Sequence, residues 1–260
     1  MSKPLQISPT ELTRSTSASP SDRSKRPIIV SLEGNIGAGK STLLENLETH
    51  LGKNSGWIFL REPVHIWEEI RDQKGQTILA KFYENPAKYA FAFQIMAYTT
   101  RLHELKRILR ENPNCVGIIC ERSLDADKHI FAKMLHADGL IDDVMYNIYE
   151  RYFAEYEGNF TLDGMIYVEA APDVCYQRVA KRSRDGESAI ALDYLEKCHE
   201  YHSLWIGHTT TKVLKLDVNE NVADVMSTHG KMRNWLYAAE TFLQKFALQG
   251  SVGVSCNLQM

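Results

Sequence analysis

Ile28–Thr42 reads IIVSLEGNIGAGKST. Its second half, Gly34-Asn35-Ile36-Gly37-Ala38-Gly39-Lys40-Ser41, with Thr42 following, fits G-x-x-x-x-G-K-[ST], the phosphate-cradling loop. Glycines at 34, 37 and 39 let successive backbone N–H groups turn inward onto phosphate oxygens. Lys40 carries a point charge to the outer phosphates, and the Ser41 hydroxyl is placed to ligate Mg²⁺. A buried apolar run precedes the loop. A helix with apolar period (Leu43, Leu44, Leu47, Leu51) follows it and aims its positive end at the same oxygens. Strand, loop and helix in that order predict a nucleoside triphosphate site.

The composition bounds what surrounds that site. The chain of 260 residues, 44% hydrophobic and 24% charged, suits one α/β domain with tails. A net charge of −3 lacks the basic stripe of a non-specific nucleic-acid binder, and no apolar run reaches the length of a membrane span. Neither partner is expected. The five cysteines show no C-x-x-C spacing, which predicts no zinc site, no disulfide framework and a reducing compartment. Residues 1–26, rich in Ser, Thr and Pro, predict a disordered tail. A mitochondrial presequence and a short nuclear signal at Arg23–Arg26 are the alternatives to a cytoplasmic protein. The folded domain is expected over residues 27–249, with a flexible tail at 250–260.

Four further strands are predicted, at Trp57–Glu62, where Pro63 ends the run, and at Val116–Cys120, Met165–Val168 and Thr211–Val218. Helical patterns separate them, including Thr77–Arg110 with a break at Asn85-Pro86 and a helix capped by Ser123. Strands alternating with helices imply a parallel sheet with helices on both faces, and ligands gather at the carboxyl ends of such strands. Glu62, Glu121-Arg122 and the polar break at 183–188 are therefore expected on the P-loop's edge, with Glu62 and Glu121 leaving strands that neighbour the first. One carboxylate can orient and deprotonate a hydroxyl while the other holds Mg²⁺. Arg178 and Arg182, at i, i+4, can converge on one target. With Arg184 they read either as a lid that neutralises a migrating phosphoryl group or as a solvated basic helix end.

GNIGAGKST, REP with a Trp shortly after, FAFQ followed by Arg101, ERSLDADKHIFA, RVAKRSRDGE with LDYLEKCHEYH, and LDVNE together resemble the deoxynucleoside kinase family, in its deoxycytidine/deoxyguanosine/deoxyadenosine branch. The likeness extends from Ile28 to Asp224. It implies a P-loop nucleotide-kinase-like fold around a five-stranded parallel sheet with a short arginine-rich lid. It also implies a homodimer that transfers the γ-phosphoryl of ATP or another triphosphate, with Mg²⁺, to the 5′-hydroxyl of a deoxynucleoside in nucleotide salvage.

Carried over residue by residue, the resemblance makes Glu62 the base, Glu121 the metal-associated carboxylate and Arg122 its partner at the reacting oxygens. Tyr83 and Glu187 match the pair at the sugar 3′-hydroxyl, and Gln94 the reader of the base edge. Trp67, Phe93 and Phe131 match the apolar walls, although Phe93 also reads as an ordinary core residue. Arg182 and Arg184, and with them Arg178, match the lid arginines, and Glu220, Asn221 and Val222 fall in the loop against the donor base. At Asn221-Val222-Ala223 the chain departs from its relatives' acidic and aromatic pair. Arg101 and Asp127 stand where thymidine-preferring members carry small or apolar residues. Their expected pairing would crowd a 5-methylpyrimidine and favour cytosine or a purine, and the alternative is an ion pair without a selective role. A thymidine-type kinase, a nucleoside-monophosphate kinase and a non-catalytic nucleotide-binding subunit are the competing readings.

Overall fold

In the computed structural model, residues 26–251 are described except 157, 183, 185 and 221–229. Five strands form one sheet in the order β2-β3-β1-β4-β5, every neighbouring pair parallel. They are β1 (Ile28–Glu33), β2 (Trp57–Leu60), β3 (Gly117–Glu121), β4 (Gly164–Glu169) and β5 (Lys212–Asp217). The sequence placed Glu62 and Glu121 beyond strands flanking β1. That holds for Glu121, where Leu32 registers with Glu121, but β2 pairs only with β3 and lies one strand further out. Strand order is a tertiary choice that local periodicity does not carry.

The strand period of two divides the core. Val30 and Leu32 of β1 face a cluster with Leu43, Leu44 and Leu47 of α1 (Lys40–Leu51) and Phe242 and Leu243 of α10 (Lys231–Ser251). Ile29, between them in the chain, joins Tyr98, Leu102 and Leu105 of α4 (Pro86–Glu111) and Tyr149 and Phe153 of α7 (Asp143–Ala154) on the opposite face. Each fully buried Leu or Phe of this kind contributes about 1.5–3 kcal/mol. Two faces carrying such rows explain why the sheet is covered on both sides. Cys175 and Cys120 are buried free thiols in these two interiors, Cys198 is another packed with Ile130, Phe131 and Met134, and Cys115 is half-buried.

A third cluster builds the wall of the functional cleft. Trp67 of α2 (Val64–Glu69), Leu79 and Phe82 of α3 (Ile78–Glu84), and Phe93 and Ala97 of α4 pack together. Thr77 and Asn85 cap α3 and α4 through their side chains, with Pro86 at the first turn of α4, the position where a missing N–H costs nothing. Ser123 accepts the Ala126 N–H to start α5 (Leu124–Ala126). The helix expected to run on from there instead widens into a π-turn over Asp127–Ala132 before α6 (Lys133–Ala137). After β4 come α8 (Pro172–Arg182), a 3₁₀ turn at Glu187–Ala189, and α9 (Leu192–His208).

Both tail boundaries shift slightly. Most of the expected N-terminal tail lies outside the described residues, but Arg26 is held by a two-pronged pair with Asp163 at 2.8 and 2.9 Å. At the other end, α10 continues through Gly250 to Ser251, where a loose tail was expected from 250.

Candidate active site

The loop between β1 and α1 is shaped by what its glycines avoid. A Cβ on Gly34, at φ +146°, would run into the Val168 carbonyl oxygen, and one on Gly37, at φ +81°, would meet the Cys175 carbonyl at 2.5 Å. Not every residue of the motif reaches the cavity. Asn35 is buried, donating to the Leu195 carbonyl at 2.8 Å and accepting the Ile36 N–H at 2.9 Å. Ala38 is 1% exposed. Gly34, Asn35 and Ala38 are thus the frame of the cradle. Ile36, Gly37, Gly39, Lys40, Ser41 and Thr42 line the cavity in front of it, where the N–H groups of the first helical turn have no intrahelical acceptor.

That cavity holds about 690 Å³ and continues from the cradle to the aromatic wall. Lys40 lies at its floor, its Nζ donating to the Gly34 and Asn35 carbonyls at 3.1 and 2.9 Å. Burial, reinforced by the nearby Arg122 charge, lowers its pKa to about 8. Ser41 Oγ donates to Glu121 Oε1 at 2.5 Å, so β3 and the first turn of α1 present two hard oxygen donors side by side. Among the described residues no cluster of three or more His, Cys, Asp or Glu forms a metal cage. The pair fits an ion that takes one or two protein oxygens and completes its shell with phosphates and water, as Mg²⁺ does.

Glu62 sits in the three-residue link between β2 and α2, beside Pro63, which begins that helix. Its Oε1 lies 3.1 Å from an Arg101 nitrogen and 3.3 Å from Nε of Arg122. Burial alone would raise its pKa, but the two guanidinium charges and Lys40 overcome this and hold it at about 2. This carboxylate is ionised across the physiological range. Arg122 is the only non-glycine residue with positive φ (66°) among those described. It follows β3 directly and spans the site. Its NH2 donates to the Gly34 carbonyl at 3.2 Å, its guanidinium lies 4.6 Å from the Phe131 ring centre, and its NH1 is buried without a partner.

The apolar end carries its own charges. Arg101 is 4% exposed and donates to both oxygens of Asp127, at 3.0 and 3.4 Å, as well as to Glu62. The expected pair exists, and its third member was not expected. Burial opposes the Arg101 charge, but Asp127 and Glu62 more than compensate and raise its pKa. The π-turn puts Asp127 and Phe131 on the same cavity wall; such wide turns recur at functional sites. Phe93 is both wall and core, stacked on Phe82 at 4.7 Å and edge-on to Trp67 at 5.4 Å. Gln94 is 2% exposed, and its Oε1 has no partner, although it lines the cavity. A buried, unsatisfied amide oxygen costs about 1–3 kcal/mol, which a hydrogen-bonding ligand would recover.

Arg182 grips Glu187 through both carboxylate oxygens, at 2.6–3.0 Å, with Arg184 at 3.3 Å. Arg178 lines the same cavity but does not bind Glu187. It donates to the carbonyls of Ala38, Val218 and Glu220 at 3.3, 2.7 and 2.6 Å, so the i, i+4 pair diverges, one arm tying α8 to the cradle and the other closing the turn after it. Glu220 contributes that carbonyl and pairs with Lys231; it does not line the cavity. Asn221 and Val222 lie outside the described residues. Tyr83, which lines the cavity together with Glu187, has its pKa raised by burial and by that carboxylate. Leu79, Phe82 and Tyr194 also line the site and escaped the sequence reading. Leu79 and Phe82 share the helical stripe of Tyr83, but a stripe does not tell a cavity wall from a core.

The model of the deoxynucleoside kinase family matches residues 30–237. A probable deoxycytidine kinase of Fowlpox virus (strain NVSL) is 37% identical over 194 residues, 74% of this chain and 77% of its own. Deoxycytidine kinase 1 of Xenopus laevis is 32% identical over 237 residues, 80% and 88% of the two chains. A mitochondrial deoxyguanosine kinase of Xenopus laevis is 31% identical over 202 residues, 71% and 75%.

Proposed function

The chain belongs to the deoxynucleoside kinase family, and from that premise we propose that it moves the γ-phosphoryl group of ATP to the 5′-hydroxyl of deoxycytidine or a purine deoxynucleoside, with Glu62 as the base. One observation carries this reading: a single cavity runs unbroken from the phosphate cradle, past Glu62 and Arg122, to Gln94 and the Arg101–Asp127 pair. Donor and acceptor would meet where those two regions join.

The residues suggest how. The triphosphate lies along the N–H groups of α1 with Lys40 at its outer end. Arg182 and Arg184 turn from Glu187 toward the phosphates, and the free NH1 of Arg122 faces the reacting oxygens. Ser41 and Glu121 would hold Mg²⁺, which when bound neutralises charge on the phosphates. The deoxynucleoside lies with its base between Trp67, Phe93 and Phe131, its edge against Gln94, and its 3′-hydroxyl between Tyr83 and Glu187. Glu62 accepts a hydrogen bond from the 5′-hydroxyl and so aims the oxygen at phosphorus. A carboxylate of such low basicity takes the proton late, once the new O–P bond has made that hydroxyl acidic. This suits the loose transition state of phosphoryl transfer, in which alignment and charge matter more than early deprotonation.

Arg101 and Asp127 bring buried charge to the base compartment. A site with polar groups to satisfy discriminates against a base that leaves them unpaired, which favours cytosine or a purine over thymine. An ADP-release assay across the four deoxynucleosides, thymidylate and deoxycytidylate tests this. Turnover of deoxycytidine, deoxyadenosine or deoxyguanosine above thymidine is expected, and a preference for thymidine or a monophosphate would overturn it. Among the described residues Cys115, Cys120, Cys175 and Cys198 are free thiols, which fits a reducing compartment such as the cytoplasm. Val144, Met145 and Ile148 form an exposed apolar face on α7, at 69%, 38% and 52% exposure, which supports a homodimer. Light scattering should give twice the 29.7 kDa of the chain; a monomer would remove that part.

A further inference from the structure

Glu33, the last residue of β1, is 0% exposed and is a buried carboxylate with no part in the mechanism above. It does not line the cavity, and no motif reading singled it out. Its Oε1 accepts the Ser123 N–H at 3.0 Å, while its Oε2 is buried without a partner. Ser123 follows Arg122, the residue held at φ +66°, and its own Oγ accepts the Ala126 N–H at 3.1 Å. One carboxylate therefore pins the peptide between the reacting-site arginine and the cap of the helix that carries Asp127 and Phe131. Leu32, its neighbour in β1, accepts the Arg122 N–H at 2.9 Å, so two consecutive residues of the P-loop strand clamp the two N–H groups flanking the Arg122 side chain's origin.

A left-handed conformation at a non-glycine residue persists only where the surroundings over-determine it. A buried carboxylate without full pairing is costly to keep. The two costs meet at one place. We propose that Glu33 is a positioning residue for phosphoryl transfer, holding Arg122 in its left-handed conformation so that the guanidinium reaches Glu62 and the reacting oxygens together. The chemistry needs this because Arg122 must span from β3 to Glu62 on one side and the Gly34 carbonyl on the other. A relaxed backbone at 122 would swing it off both. The positive charge of Arg122 lies near the carboxylate and lowers the cost of burying it, although burial still raises the Glu33 pKa.

The proposal rests on the placement of Arg122 at the reacting oxygens, and the test separates the two claims. Glu33→Ala should lower kcat by about 10²-fold, the scale of an ångström-sized misplacement, with KM for donor and acceptor within about threefold. Glu33→Gln, which keeps an oxygen for the Ser123 N–H, should restore kcat to within about threefold to fivefold of the parent. In an Arg122→Ala background Glu33→Ala should cost nothing further, because the cycle is non-additive when one residue acts through the other. Equal fractional losses in both backgrounds, or parental kcat in Glu33→Ala, would overturn the role of Glu33. Full turnover by Arg122→Ala alone would instead remove the placement of Arg122. If Glu33→Ala does not fold, Glu33→Asp takes its place: its shorter side chain withdraws the acceptor from Ser123 and should reproduce the kcat loss, and an Asp variant more active than the Gln variant would overturn the proposal.

Discussion

The two ends of the cavity recognise their ligands by different means. The phosphate end is framed by backbone, with Gly34 and Gly37 leaving no room for a Cβ and the first turn of α1 beside them, and its charges are Lys40 and the lid arginines. The base end is made of side chains from α2, α3, α4 and the π-turn, with a buried Arg101–Asp127 pair at its centre. A backbone cradle reads what all triphosphates share, and a side-chain pocket reads what distinguishes one base from another. Substitutions should therefore act on rate for every substrate at the first end and on choice among substrates at the second. Glu62 and Arg122, at the seam, belong to both.

The hardest blow to that division comes at the phosphate end. Lys40→Ala should drop turnover to background with every deoxynucleoside, a fall of at least about 10³-fold; a variant that stayed active would dissolve the phosphate assignment. At the seam, Glu62→Gln should cost about 10²–10⁴-fold in kcat with little change in acceptor affinity, because Arg101 and Arg122 still hold the amide oxygen. Near-parental turnover would leave Glu62 a structural partner of the two arginines.

At the base end both charges must go together, since removing one partner strands the other at about 3–5 kcal/mol. Arg101→Met with Asp127→Ala should shift kcat/KM toward thymidine over deoxycytidine by about 10–10²-fold. Because Arg101 also holds Glu62, kcat should fall for all substrates, so the ratio is the informative reading. An unchanged ratio would make the pair purely structural. The smallest effect is in pH. With its pKa lowered to about 8, Lys40 loses its charge in the free enzyme as pH rises past that value. Donor kcat/KM should fall about tenfold per unit above it, while kcat stays level because bound phosphates hold the proton. Glu62, charged throughout, adds no limb near neutrality.

The same contrast governs what the sequence disclosed. The P-loop, the strands and the helix capped by Ser123 were legible because each rests on a local signal: glycine at fixed offsets, short apolar runs, period 3.6, Ser before a helix. The Arg101–Asp127 pair was legible through resemblance. What stayed hidden needed three dimensions. β3 inserts between β1 and β2, which no window of residues reveals. The π-turn at Asp127–Ala132 has the apolar pattern of an ordinary helix. Arg178 and Arg182 share a face, yet their partners lie on different segments. Glu33 carries no signal of its own in the sequence, and only its contact with Ser123, 90 residues on, shows what it holds.

The central claim is that the acceptor hydroxyl and the triphosphate meet at the seam, with Glu62 as the group that receives the proton. A crystal structure with a deoxynucleoside and a non-hydrolysable triphosphate analogue tests it most directly. The account predicts the 5′-oxygen within hydrogen-bond reach of the Glu62 carboxylate, about 2.6–3.2 Å, and on the same side of the sugar as the terminal phosphate. A deoxynucleoside bound with that oxygen turned away from Glu62, or outside the cavity altogether, would contradict it.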